Sequence, residues 1–425
     1  MAIVPAPPSQ GRFFLGLDFG TSGVRNCVVN EAEVVVHQDR ITYPDPKQQT
    51  PLHWREALHI LLQRLPSSIA ADLGGMTIAA TSATVLLCDE ALSPTSSALL
   101  YFDDRAQSEA EQLKQIAPPG HIACVATSGL AKFLWLTQHA DLSNSSHFLH
   151  QADWLAALLT GLAGVSDYHN ALKTGYDAES LCWPDWVLRL THSSLLPQVL
   201  APGTPIATVS PALAQYFKLS PDCVVRAGTT DSCAAFFATD VHEPGAAVTS
   251  LGTTLVLKLL SERRVEAAQY GVYSHRYGKL WLAGGASNAG GGALRQYFND
   301  EQLVELSQHI NPDADSPLDY YPLPRPGERF PINDPTRLPH LTPRPQDNVQ
   351  FLHGLLQGLS KIEAAGYAKL VELGAAPLKQ VTTVGGGAEN QVWRKMRERL
   401  LGVPITVARH AEAAFGAALL AKRGA

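Results

Sequence analysis

At 425 residues the chain is longer than one hydrophobic core usually organises, which favours two domains with a cleft between them as the natural site. Its 45% hydrophobic and 17% charged residues are those of an ordinary globular protein. No apolar run approaches the roughly 20 residues that span a bilayer. A net charge of −6 with no cluster of Lys and Arg excludes a phosphate-backbone binder, so neither nucleic acid nor a membrane is expected as a partner.

Residues 1–11, MAIVPAPPSQG, have no basic n-region and no long apolar stretch. They read as a loose tail rather than a signal peptide, which points to the cytoplasm or a soluble compartment like the plastid stroma. FFLGLDFGTSGVRNCVVN (13–30) then predicts a β-hairpin with Asp18 to Gly23 at its tip, and EVVVHQDRITY (33–43) a third strand. HWREALHILLQRL (53–65) has apolar residues at helical spacing, and MTIAATSATVLLCDE (76–90) predicts a buried strand ending in a Ser/Thr-rich turn. Residues 105–220 are largely helical by pattern, broken at 117–120, 200–205 and 219–222.

CVVRAGTTDSCAAFFA (223–238) predicts strand, tight turn and helix, after which GAAVTSLGTTLVLKLLS (245–261) repeats the plan of the opening hairpin. A duplicated core with domains 1–238 and 239–425 follows. The Pro-rich segment 311–346 is expected to be an ordered surface excursion, because proline removes donors and fixes φ. A long helix (349–373), a strand with a glycine turn (381–390), a helix (391–401), a strand (404–408) and an Ala-rich helix close the chain. The six cysteines form no CxxC pair, so neither a disulfide scaffold nor a zinc site is suggested, and Cys233 reads as packing.

DFGTSG puts the Asp18 carboxylate at a strand end, followed by glycines and small hydroxyl residues whose backbone N–H groups suit phosphate oxygens. Asp18 would there hold Mg²⁺, a hard ion that takes few carboxylates and keeps its waters; an ordinary hairpin turn is the plain alternative. In GTTDS (228–232), Asp231 lies at a strand-to-helix turn, where an aspartate either takes the proton of an attacking hydroxyl or caps the helix. SLGTT (250–254), GGASNAGGG (284–292) and VGGGAEN (384–390) add glycine turns suited to phosphate, ribose or base; for 284–292 a flexible loop is equally open. No Walker A and no dinucleotide fingerprint occurs.

Taken in order, DFGTSG, GTTDS, SLGTT and VGGGAEN resemble the FGGY family of carbohydrate kinases, and nearly the whole chain takes part. YFDDRA (101–106) is similar to the family's W-x-D-x-R-A segment, SGLAKFLWL (128–136) to its Trp-containing helix, and SDYHNALKTGYD (166–177) to its T-D-x-S-N-A stretch. The resemblance implies an α/β fold of two actin-like, ribonuclease H-like ATPase domains, with ATP and Mg²⁺ as cofactors and a small sugar as substrate. It implies Asp231 as the base, and Asp18, Gly20 and Thr21 as the first phosphate and metal site. Asp18, Ser82, Asp103, Arg105 and Asp231 would face the sugar; Gly252 and Thr253 the second phosphate turn; Gly386, Gly387 and Asn390 the adenosine.

ATSAT (80–84) replaces the histidine-bearing loop of many xylulose kinases, and Tyr101 replaces the family's tryptophan. The short form resembles cyanobacterial and plant pentulose kinases, for which D-ribulose is implied; D-xylulose or another small polyol is the alternative. An actin- or chaperone-like ATPase with a protein partner would share the nucleotide turns but leaves YFDDRA without a reason.

Overall fold

A computed structural model describes residues 12–190 and 192–424; the tail at 1–11 lies outside the described residues. The chain opens with the expected hairpin, β1 (Phe13–Phe19) and β2 (Gly23–Asn30), followed by β3 (Val35–Thr42). Helix α1 (Pro51–Gln63) starts where Thr50 accepts the His53 N–H and Pro51 supplies a preset φ. It buries Trp54, Ala57, Leu58, Leu61 and Leu62, the face its periodicity marks as apolar. After it come β4 (Leu73–Ala80) and β5 (Val85–Cys88).

The helical reading of 105–220 holds for α2 (Gln107–Ile116), α3 (Gly129–His139) and α4 (Gln151–Thr160). It is corrected at β6 (His147–His150), β7 (Val165–Asp167), β8 (Gln198–Leu200) and β9 (Pro205–Thr208). These strands have three or four residues, too few to show a period, and each is held by a partner distant in sequence: β6 by β5, β9 by β10 (Val224–Arg226). A two-residue strand, β11 (Thr229–Thr230), then leads into α5 (Asp231–Phe237).

The first sheet runs β3-β2-β1-β4-β10-β9, with β11 also beside β4. β1, β2 and β3 are antiparallel, while β4 is parallel to β1, β10 and β11. The second sheet has the same plan. β12 (Ala246–Leu251) and β13 (Leu255–Ser261) form a hairpin, β14 (Tyr273–Tyr277) and β15 (Leu280–Ser287) extend it antiparallel, and β16 (Gln380–Val384) and β17 (Ile405–Val407) run parallel to β12. Helices α6 (Asn348–Glu372) and α7 (Gln391–Leu401) cover this sheet.

Two compact units result: residues up to 238 together with those from 410 onward, and residues 239–409. The expected second domain, 239–425, is therefore corrected at its end, because the closing helix α8 (Ala413–Arg423) packs in the first unit. The reason is steric. A Cβ on Gly16 of β1 would lie 2.0 Å from the Ala414 carbonyl oxygen, and one on Gly416 would lie 1.8 Å from that of Ala234 in α5. Only glycines admit this backbone approach, and the alanines of α8 complete a flat face against β1.

The Pro-rich segment 311–346 is ordered but is more than a surface excursion: Leu318, Tyr320, Leu323 and Phe330 enter the second core. Glu328, also from it, is buried and accepts the Ser287 hydroxyl at 2.6 Å and the Asn288 N–H at 2.8 Å. All six cysteines are free thiols, with Cys233 buried. Among the described residues no helix is long and apolar enough to cross a membrane.

At the centre of the second unit Arg397 of α7 grips Glu363 of α6 through two bonds of 2.6 and 2.7 Å, both side chains about 1% exposed. Arg397 also donates to Thr383 of β16, and Thr249 of β12 donates to Glu363, so one ion pair ties two helices to two central strands. Arg397→Met strands the Glu363 carboxylate and is expected to cost about 3–5 kcal/mol in urea unfolding. The double change Glu363→Leu with Arg397→Met should recover most of that loss.

Candidate active site

Strand register gathers the first set of site residues. Asp18 of β1 lies opposite Ala79 of β4, and Ala79 lies opposite Thr229 of β11, so Asp18 and Asp231 emerge at the carboxyl ends of the two strands that flank β4 in parallel. Open α/β sheets place their ligands at such ends. The capping alternative for Asp231 is not what the structure has: Thr230 occupies the N-cap with extended backbone, and Asp231 is the first helical residue. Its Oδ1 accepts the Ser232 N–H at 2.6 Å. The helix N-terminus favours a negative charge there.

Asp18 is only 5% exposed. Its carboxyl is pushed up to about 7, by burial first and then by the charge of Asp231, against the opposing Arg25 at 3.5 Å across the hairpin and with a smaller upward push from Glu412 at the start of α8. Asp18 Oδ1 is buried with no hydrogen-bond partner, and so is the Tyr43 hydroxyl, whose proton affinity the Asp18 charge also raises. A carboxylate oxygen desolvated without a donor fits a cation. No cluster of three or more His, Cys, Asp or Glu occurs among the described residues.

The turn carrying Gly20 and Thr21 is braced from behind. Gly20 N–H donates to the Gly23 carbonyl at 3.0 Å, the Tyr43 N–H to the Ser22 carbonyl at 3.0 Å, and Gln49 Nε2 to the Thr21 carbonyl at 2.8 Å. Gln49 is in turn fixed by the buried Trp54 indole N–H at 3.0 Å. With these carbonyls engaged, the turn is held in one shape.

Ser82 follows the end of β4, and its hydroxyl is buried without a partner, as are Thr230 Oγ1 beside it on β11, Gln151 Nε2 and Asn170 Oδ1. Gln151, at the start of α4, accepts the Thr81 hydroxyl at 3.0 Å, and Thr81 and Thr84 share a bond of 2.7 Å. Asn170 donates to the fully buried Asp167 at 2.6 Å, whose carboxyl burial pushes up to about 6. Asp103 and Arg105 pair with each other at 2.8 Å, and the Arg105 guanidinium stacks 5.0 Å from the Trp135 ring centre. They meet the Ser82 loop through Lys132, whose Nζ donates to the carbonyls of Ala83 and Leu100.

Sequence reasoning missed Tyr43, Gln49, Lys132, Gln151, Asn170 and Thr230. The signal was a polar residue inside an otherwise apolar string, as Lys132 in SGLAKFLWL and Gln151 in QADWLAALLT.

The second set lies in the second unit, around a cavity of about 690 Å³. Gly252, Gly386, Gly387 and Asn390 line it, with Leu251, Leu294, Leu303 and Trp393 supplying apolar wall. Thr253 is outside this lining, exposed at the tip of the β12–β13 turn. Asn390 caps α7 by accepting the Trp393 N–H at 2.9 Å and donates to Ser307 at 2.8 Å, so its amide shapes the wall as well as the helix start. The segment 284–292 is not a flexible loop: it continues β15, and Gly291 and Gly292 N–H groups donate to the carbonyls of Gly252 and Thr253 at 2.8 and 3.0 Å.

Two sheets of one plan, each a run of antiparallel strands, three in the first and four in the second, continued by parallel ones, with carboxylates at strand ends in one unit and a glycine-walled cavity in the other, define the actin-like ATPase class. The crystal structure of a xyloylose kinase from Brucella ovis shares this fold, with a TM-score of 0.82 at 24% identity over 96% of this chain and 90% of that one. The models of the N-terminal and C-terminal domains of the FGGY family of carbohydrate kinases match residues 13–238 and 247–425. The chain belongs to the FGGY family of carbohydrate kinases; it is an enzyme that transfers a phosphoryl group from ATP to a sugar. Similar proteins include a xylulose kinase of Staphylococcus epidermidis, 24% identical over 96% of this chain and 87% of that one. A ribulokinase of Shouchella clausii is 26% identical over 60% of this chain and 55% of its own length. The reading as an ATPase with a protein partner is set aside.

The raised carboxyl of Asp18 has a consequence for stability. Folding increases its proton affinity, so its contribution is full below about pH 4 and is lost as pH rises through about 7. Asp18→Asn cannot ionise. In ligand-free protein it should unfold at higher denaturant than the parent above pH 7, by at most ~4 kcal/mol, with the difference vanishing toward pH 4. Urea titrations at pH 4, 6 and 8 check this.

Proposed function

We propose that the enzyme phosphorylates a pentulose, D-ribulose giving D-ribulose 5-phosphate and ADP. The reading is carried by one juxtaposition: the Asp18 and Asp231 carboxylates at the ends of the two strands that flank β4, with the buried, unpartnered hydroxyls of Ser82 past the end of β4 and of Thr230 on β11. Buried polar atoms without partners cost free energy, and a polyol supplies the missing donors and acceptors. A loop of small hydroxyl residues in place of a histidine, in ATSAT, favours D-ribulose. D-xylulose, its epimer at C3, is the second reading, favoured by the names of the similar proteins.

In this proposal Asp231 accepts the proton of the attacking hydroxyl, the oxygen forms its bond to the γ-phosphorus, and the bond to the bridging oxygen breaks to release ADP. Its place in the first turn of α5, with Oδ1 engaged by the Ser232 N–H, fixes its direction. Asp18 would hold Mg²⁺ directly or through water, and, with the Gly20 N–H bound to the Gly23 carbonyl, the turn would offer the Thr21 and Ser22 N–H groups to phosphate. The bound ion would neutralise phosphate charge, the main requirement of phosphoryl transfer besides alignment. Arg25 keeps the Asp18 carboxylate partly compensated. Gly252, Gly386, Gly387 and Asn390 take the nucleotide, its base against Leu294, Leu303 and Trp393.

Asp231→Asn should lower kcat by about 10²–10⁴-fold while leaving the affinity for ATP within about twofold. Full sugar phosphorylation by this variant would remove Asp231 as base. Coupled ADP-release assays with D-ribulose, D-xylulose, glycerol and gluconate rank the acceptors by kcat/KM. A higher value for glycerol or gluconate than for either pentulose would overturn the substrate class.

A further inference from the structure

Two segments assigned above to the sugar, 81–84 and 100–105, flank a single excursion of the chain. The excursion closes nearest them at the antiparallel bridge of Val85 with Leu99, whose paired bonds are 3.0 and 2.9 Å, and pairs again further out at Cys88 with Pro94. Past that bridge the backbones diverge, one into Ser82 and the other into Asp103 and Arg105, and no further ladder bond joins them among the described residues. The Thr84 carbonyl accepts the Gln151 N–H at 2.9 Å, and the Ala83 and Leu100 carbonyls accept from a single side-chain nitrogen, Lys132 Nζ, at 2.8 and 2.7 Å.

Lys132 is fully buried in the middle of α3, among Leu130, Ala131, Phe133 and Leu134. Removing an ammonium from water is expensive, so a lysine here needs its acceptors. Its pKa is lowered to about 7, by burial above all, with Asp103 opposing and Lys173 and Arg105 reinforcing the shift. Ala83 sits at φ 63°, a left-handed conformation that a residue with a side chain adopts at a cost, and which its surroundings must therefore hold. From the same helix, one turn on, Trp135 supports the Arg105 guanidinium. The Asp103–Arg105 pair and the Ser82 turn thus hang from one helix face.

We propose that Lys132 is a positioning residue for sugar specificity: by tying the Ala83 and Leu100 carbonyls together it fixes the distance between the Ser82 hydroxyl and the Asp103–Arg105 pair. The inference rests on the reading of those two segments as the sugar side. Lys132 touches no reacting atom. It acts as a cross-strand rung where the backbone ladder stops, and a side-chain donor is needed because both groups to be joined are carbonyls; the Leu100 carbonyl also accepts the Asp103 N–H at 2.8 Å.

Lys132→Met keeps the stem volume and removes the donor; Lys132→Gln keeps an amide that reaches one carbonyl. With whichever pentulose the parent phosphorylates better, Lys132→Met is expected to raise the sugar KM at least tenfold, Lys132→Gln to a smaller extent, and the ATP KM in both to stay within twofold. Equal changes in the two KM values, or none, would overturn the proposal. A readout without sugar separates this from the substrate reading: hydrogen exchange of the amides in 82–85 and 99–103 should accelerate at least tenfold in Lys132→Met, with β12 and β13 unchanged. Unchanged exchange there would equally overturn the tether. Failure of the parent on both pentuloses would sink the substrate reading and leave the exchange result to decide on Lys132. If Lys132→Met does not fold, Lys132→Gln carries both measurements.

Discussion

Parallel pairing of β1, β4 and β11 is the constraint on which the first unit depends. It brings Asp18 and Asp231 to the same end of the sheet on either side of β4, against their mutual repulsion and the desolvation of Asp18. Two like charges in a low-dielectric setting do not stay together unless the scaffold is stiffer than the repulsion is strong. The stiffness comes from α8. Its glycine and alanine face meets β1 and α5 at backbone distance, so neither aspartate-bearing element has room to turn away. A cation and a phosphate would relieve what the fold here holds under tension, which is a reason for the site to be binding-competent rather than merely stable.

The second unit repeats the sheet plan and uses it otherwise. Its strand ends carry glycines where the first unit carries carboxylates, and the space so left is a cavity walled by leucines and Trp393. Its burial of charge is internal, at Glu363 and Arg397, where every acceptor meets a donor. One architecture has thus received a frustrated polar site in one copy and a satisfied polar core in the other. The family's C-terminal model extends through residue 425 while the packing of α8 belongs to the first unit, so sequence continuity and compactness divide the chain at different places.

The hairpins were legible because each glycine turn interrupts a Val- and Leu-rich run, and the long helices because their apolar residues recur at helical spacing. The strand-end positions of Asp18 and Asp231 and the turns of Gly252 and of Gly386 and Gly387 were legible because glycines and small hydroxyl residues break an apolar run there. The strands between 147 and 208 were not legible: three or four residues carry no period, and their partners lie far along the chain. Thr253 looked equivalent to Gly252, yet only one of two adjacent residues in a tight turn faces the cavity. Asp231 as a cap failed by one position, since cap and first helical residue are both favourable to aspartate.

What the sequence determined by itself was the order of turns and acids, and with it the family, because local backbone demands for glycine and for short polar side chains are written one residue at a time. What only the tertiary structure decided was which polar side chains are left without partners. Ser82, Thr230, Gln151, Asn170 and Lys132 are unremarkable as letters; they acquire meaning from burial and from which neighbours do or do not meet them. Hydrogen-bond satisfaction is a property of three-dimensional surroundings assembled from segments far apart in the chain, and no local pattern encodes it.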